Sequence, residues 1–137
     1  MIPFLLEITN KIGLYQLADG RFQLTQEGTP EAIMIGYEYI IVRNDIADAF
    51  TDLCTGGGLS FRPAIIWDRK KDKEYNNYRE MMVEQHFGSQ DLNALDLNSK
   101  QFLVMDNRYL FVTPALKESM VNSRLDFEFS EGLSFFG

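Results

Sequence analysis

The chain of 137 residues carries one histidine, His86, and one cysteine, Cys54. These two counts bound its chemistry. A zinc site built from several His or Cys ligands has no residues to draw on. A Ser-His-Asp or Cys-His relay would have to run through His86, and no nucleophile elbow accompanies it. His86 lies on an alternating run with Glu80 and Glu84 and reads as a surface imidazole among acids. Gly56-Gly57-Gly58 has the glycines of a phosphate loop but not its continuation. Such a loop leads into Lys-Ser or Lys-Thr at a helix start, whereas here Leu59-Ser60 opens a strand-like alternation. The triplet is therefore a helix stop and turn. There is no dinucleotide fingerprint and no calcium loop. Acids are abundant: Asp45, Asp48 and Asp52 in one segment, Asp91, Asp96 and Asp106 in another. Paired carboxylates can hydrolyse glycosides or hold a divalent ion, but spacing alone brings no two of these together. The expectation is a chain that is not an enzyme, with no catalytic residue, no metal site and no cofactor.

What remains is binding. Asp45, Asp48 and Asp52 recur at helical spacing and form a charged face. Arg69-Lys70-Lys71-Asp72-Lys73-Glu74 is a mixed charge run followed by Tyr75, Tyr78 and Arg79. Basic groups interleaved with aromatics can bind nucleic acid, but this run is short and holds acids of its own. It reads as a solvated hairpin loop. Exposed Tyr and Arg are also frequent interface anchors. The candidate partner-binding residues are thus Asp45, Asp48, Asp52, Tyr75, Tyr78 and Arg79.

Bulk properties agree. The formal charge is −7 and the pI about 4.6. Phosphate-bearing partners, both nucleic acid and anionic membrane, repel such a chain, while a basic protein surface attracts it; the charge also serves solubility. With 45% hydrophobic residues, eleven Phe and six Tyr, there is material for one packed core, and the length suits one domain spanning 1–137. No segment approaches the ~20 apolar residues of a membrane-spanning helix. The apolar start, 1–6, lacks a basic leader and reads as a strand. A single cysteine asks for no oxidising compartment. A cytoplasmic location is expected.

The elements that must position these residues follow from periodicity. Strands are expected over Ile2–Ile8, Arg21–Gln26 and Ile33–Val42, the last bent or divided near Gly36. Asn44 is placed to cap a helix whose apolar stripe is Ile46, Ala49, Phe50 and Leu53. Leu59 to Trp67 alternates, with Pro63 requiring an edge position or a bulge. Asp68–Asn77 reads as an exposed charged loop. Arg79–Phe87 alternates, with Met81, Val83 and Phe87 on one face. Gly88–Lys100 is polar, anchored by Leu92, Leu95 and Leu97. Asp106-Asn107-Arg108 joins two short strands as a hairpin, and Thr113-Pro114 opens a second helix with Leu116 and Met120 inward. Leu125, Phe127, Phe129, Leu133 and Phe135 alternate in a closing strand or hairpin. Tyr39-Ile-Ile-Val42 before the first helix echoes Tyr109-Leu-Phe-Val112 before the second. A strand–helix–strand pseudo-repeat is one reading of this echo. The other is that any strand and helix sharing a core need the same pattern.

Two stretches carry a family resemblance. Phe61-Arg62-Pro63-Ala64, then a charged loop and Tyr78-Arg-Glu-Met-Met-Val83, resembles a segment of bacterial immunity proteins from polymorphic-toxin systems. Tyr109-Leu-Phe-Val-Thr-Pro-Ala-Leu-Lys-Glu-Ser-Met120 is similar to the strand and helix near the end of those proteins, and Leu133–Phe136 to their terminal aromatic strand. The resemblance runs from Tyr39 to the C-terminus. This chain lacks the cysteine pairs common in such proteins and has Ser123-Arg124 where they carry a glycine. The resemblance implies neutralisation of a toxin by direct binding, and it carries over no binding residue. The expectation is an α+β domain, a largely antiparallel sheet with two helices packed on it, that binds a basic toxin domain. Two alternatives stand beside it: a generic protein- or ligand-binding domain, in one form a homodimer through a strand edge, and a carboxylate-based hydrolase.

Overall fold

Apolar alternation and turn residues divide the chain into short strands. In a computed structural model that describes residues 2–8, 12–88, 90–91, 97–123, 125 and 127–131, they run in the following order. Strands β1 (Phe4–Glu7), β2 (Leu14–Gln16), β3 (Phe22–Leu24), β4 (Ile33–Gly36) and β5 (Tyr39–Arg43) precede helix α1 (Asn44–Leu53). Strands β6 (Leu59–Asp68), β7 (Lys73–Val83), β8 (His86–Phe87), β9 (Phe102–Met105) and β10 (Tyr109–Val112) precede helix α2 (Pro114–Asn122), and β11 (Glu128–Glu131) follows. The class is α+β. The strands form two sheets rather than one, ordered β11-β1-β10-β9-β8 and β2-β3-β6-β7-β5-β4. All pairings are antiparallel except β3 with β6 and β8 with β9.

Two sheets form because there is more apolar surface than one face of one sheet can cover. The central core lies between the sheets and the helices. Leu6, Phe102, Val104, Leu110 and Val112 of the first sheet meet Ile33, Val42, Met81 and Val83 of the second, with Phe50 of α1 and Leu116 and Met120 of α2. Phe50 sits between them, its ring 4.9 Å from Phe102 and 5.9 Å from Phe127. The outer face of the first sheet buries Leu103, Met105 and Phe111 with Phe87 and Leu97. The second sheet curls so that its far face closes on itself around Phe22, Leu24, Met34, Ile41, Ile66 and Tyr78. The curl brings the edge strand β2 to β5: the Leu14 N–H donates to the Tyr39 hydroxyl at 3.3 Å, and the Phe22 and Tyr39 rings lie 5.7 Å apart.

Several expectations resolve in detail. Thr113 caps α2, its Oγ1 accepting from the Leu116 N–H at 3.3 Å, with Pro114 in the first turn. Asn44 does not cap α1. Arg43 holds that position without a side-chain bond, and the Asn44 Oδ1 is buried with no partner. Pro63 lies where β6 pairs only with β7, since β3 joins β6 at Ile66 and Trp67. The register slips just beyond it, between Ala64 and Ile66. Alternation along β6 turns Leu59 and Phe61 to the central core and Ala64 and Ile66 into the curl. Phe87 leaves the face of Met81 and Val83, because the chain breaks at residues 84–85 and crosses to the first sheet, where the Gln85 carbonyl accepts from the Val104 N–H. Gly57 and Gly58 end the α1 turn with φ of 82° and 75°, a conformation that L side chains resist. Leu92, Leu95, Leu133 and Phe135 lie outside the described residues.

The sequence echo has a topological counterpart. Hairpin β4–β5 leads through α1 to β6, and β7 lies between β5 and β6. Hairpin β9–β10 leads through α2 to β11, and β1 lies between β10 and β11. The arrangement is the same in both sheets, with the first strand of the chain filling in one the place that β7 fills in the other. The two equivalent hairpin turns touch: the Glu38 N–H donates to the Asn107 carbonyl at 2.8 Å.

Candidate partner-binding surface

Helix α1 turns Ala47 and Phe50 into the core. Its period then sets Asp45, Asp48 and Asp52 on the solvent face. Two of the three are held in place. Arg43 grips Asp45 side-on, Nε to Oδ1 at 2.6 Å and Nη2 to Oδ2 at 2.9 Å. That bonded guanidinium holds the Asp45 carboxyl below its usual range. Arg79, reaching over from β7, donates to Asp48 Oδ1 at 2.9 Å. Asp52 is exposed and makes no ion pair among the described residues. The four residues Asp45, Asp48, Asp52 and Arg79 therefore share one face, as a charged patch on a rigid element.

The two tyrosines do not join them. Tyr78 is 4% exposed, and its hydroxyl donates to the carbonyls of Glu31 at 2.9 Å and Pro30 at 3.2 Å. Burial pushes its pKa up. Tyr75 is half-buried against the same cluster, with the Lys73 ammonium 4.7 Å from its ring centre. Both lie in the curl, behind the sheet that carries Arg79 on its helix side. The segment read as an exposed loop to Asn77 is already β7 from Lys73 onward, and a bulge sets both rings on one face: Tyr78 opposes Ala64 and Tyr75 opposes Ile66, so β7 carries one residue more than β6 between them. The loop proper is Arg69–Asp72. Asp68 is buried at its base, accepting from the backbone N–H groups of Lys70 and Lys71. The basic tip is partly neutralised, since Lys70 meets Glu27 at 2.7 Å. Beside it, Arg21 lies 4.6 Å over the Trp67 ring while bonding Asp19 and Glu74.

Sequence reasoning missed a third surface, at the meeting of the two hairpin turns. Tyr37, 64% exposed, stands at the β4–β5 turn beside Asp106, Asn107, Arg108 and Tyr109. Glu38, Asp106 and Asn107 take left-handed φ of 69°, 55° and 58°. A neighbouring cleft of about 300 Å³ shares Asn107 with this surface and is lined also by Glu38, Ile40, Glu80, Met82 and His86. The His86 Nε2 lies 3.0 Å from the Val83 carbonyl. Glu80 is 9% exposed, and Arg62 bonds it through Nε at 2.8 Å and Nη2 at 2.6 Å. The sequence did hold a signal. Tyr37-Glu38 places a large aromatic where a two-residue turn favours Asn or Gly.

Elsewhere, the glycine triplet borders a depression that also carries Glu84, a carboxylate that would repel phosphate. Cys54 is half-buried, and burial pushes its thiol pKa up, away from nucleophilic reactivity. Among the described residues no three His, Cys, Asp or Glu side chains gather as metal ligands, and no helix is long and apolar enough to cross a membrane. Asp96 lies outside the described residues. Comparison with family models, with curated proteins and with solved structures gives no match.

Proposed function

We propose that this chain is a non-catalytic immunity protein that neutralises a bacterial toxin by binding it, acting in the cytoplasm. The observation that carries the reading is the face of α1. Three carboxylates project from a helix pinned at Phe50, two of them oriented by Arg43 and Arg79. With Arg43 and Arg79 pairing two of the three carboxylates, the face keeps one net negative charge, at Asp52. The chain's net charge of −7 steers a basic partner and resists anionic ones, and the ordered ion pairs offer that partner a fixed polar surface. Neutralisation follows if the bound domain covers the toxin's active surface. The resemblance of the segments at 61–64, 78–83 and 109–120 to immunity proteins supports the same reading.

The test begins with capture of partners by the tagged chain from cells of its native host. The captured protein should be basic, should arrest growth when produced alone, and should cease to do so when this chain is co-produced. A partner that is harmless alone, or that kills equally with and without this chain, overturns the proposal.

A further inference from the structure

We propose that β1 is an exchangeable strand: the slot between β10 and β11 takes β1 from a second copy of this chain as well as from its own. The two halves of the fold are built alike. In each, an antiparallel pair (β4–β5, β9–β10) leads into a helix and then a further strand (β6, β11). The likeness extends to single bonds. Arg43 and Thr113, the residues before the helices, have φ/ψ of −67°/149° and −67°/156°. Their N–H groups donate to the Ala32 and Gln101 carbonyls, each just ahead of the paired strand. Phe50 and Met120 stand at the same offset from those residues, and both are fully buried. The halves differ in where the fourth strand comes from. In the second sheet it is β7, antiparallel to β5 and to β6, with Lys73 opposite Asp68 across the turn that joins them. In the first sheet it is β1, antiparallel to β10 and to β11, with Phe4 opposite Glu131 in the place that Lys73 has against Asp68. All the other strands of that sheet come from residues 86–131. This half therefore borrows its fourth strand from across the fold. It needs one, because β11 pairs with no other described strand and an open slot would leave two bare strand edges. A β1 from a second copy has the same register and buries the same Leu6. Pairing alone does not distinguish the two sources. What favours the chain's own strand is the tether at residues 8–13, and a short tether is equivalent to an effective concentration in the millimolar range. Exchange therefore grows with protein concentration and, being reciprocal, closes as a two-fold dimer. The proposal is independent of toxin neutralisation.

The experiment uses full-length chains with Cys54→Ser throughout. Leu5 and Ser130 lie opposite each other in the β1–β11 pair, within reach of a disulfide if both are cysteine. The doubly substituted chain, Leu5→Cys/Ser130→Cys, should oxidise within itself, which shows that the substitutions fold and that the register holds. The two single variants are then unfolded together in urea, refolded at concentrations from micromolar to millimolar, and oxidised. The expected product is a covalent dimer holding one chain of each kind, with a yield that rises with concentration. Arg69→Cys, exposed at the tip of the β6–β7 turn, replaces Ser130→Cys as the control for chance collision and should give little mixed dimer. An internally closing double variant whose single variants yield no mixed dimer at any concentration overturns the exchange. Equal yields with Arg69→Cys overturn it too, as does a double variant that fails to close, since the slot would then not hold β1 in this register.

Discussion

Tyr78→Phe removes one oxygen atom from a side chain that is 4% exposed. The hydroxyl donates to two carbonyls at 2.9 and 3.2 Å, so the variant loses that bonding and leaves the Pro30 carbonyl in a buried place. A net hydrogen bond contributes about 0.5–1.5 kcal/mol, and an acceptor left unsatisfied costs about 1–3. Part of that cost is relieved because the Glu31 carbonyl is only part-buried. The expected loss is about 1–2 kcal/mol, or roughly 3–8 °C in Tm for a chain of this length. Urea unfolding at pH 7 measures it. The pH dependence has a definite sign. Burial raises the Tyr78 pKa above its unfolded value near 10, so the fold favours the neutral phenol. That contribution is complete below about pH 10 and is lost as pH rises through the folded value. Phenylalanine cannot ionise. The stability gap between wild type and variant should therefore shrink above about pH 10. A gap that is absent at pH 7, or that widens in alkali, refutes the placement of Tyr78 in the curl. So would a fall in partner affinity without a change in stability, because a side chain this deep cannot touch a partner.

Two further outcomes follow from the packing. Phe50→Ala empties the contact between α1 and the rings of Phe102 and Phe127 and should cost about 3–5 kcal/mol, a large part of a domain's whole stability, read by chemical unfolding. Gly36→Ala would set a methyl 2.5 Å from the Tyr39 ring. It should displace the hydroxyl that receives the Leu14 N–H, cost about 1–3 kcal/mol, and speed amide exchange at Leu14 ahead of the central core.

The fold was legible where one element explains itself. The stripe of α1 (with Ala47 buried in the core where Ala49 was expected), the Thr113-Pro114 helix start, the Asp106-Asn107 hairpin and the demand of Pro63 for an edge or a bulge follow from local chemistry. What was not legible depends on partners far away in the chain. Nothing in Phe4–Glu7 says that it lies between Val112 and Glu131, because any apolar alternating strand would satisfy that slot. One such ambiguity hid the second sheet. It also misplaced Tyr75 and Tyr78, since the strand begins at Lys73, six residues before the expected Arg79, and a bulge between the two tyrosines turns both rings inward. The acidic face of α1 was readable from helical spacing, and Arg79 joined it through a pairing that no spacing rule supplies. Asn44 failed as a cap because the chain enters the helix one residue sooner. The cleft was invisible because its parts, near residues 38, 80 and 107, meet only when both hairpins are folded against each other.

The most direct test of neutralisation through the α1 face is growth rescue with its charge removed. The variant Asp45→Asn/Asp48→Asn/Asp52→Asn should fold like wild type, since exposed ion pairs contribute only ~0–1 kcal/mol each. Cells producing the captured toxin domain should grow when wild-type chain is co-produced and should arrest with the triple variant at equal abundance, and the rescue lost should track a slower, less salt-sensitive association of the purified pair. Full rescue by the folded triple variant would contradict the account.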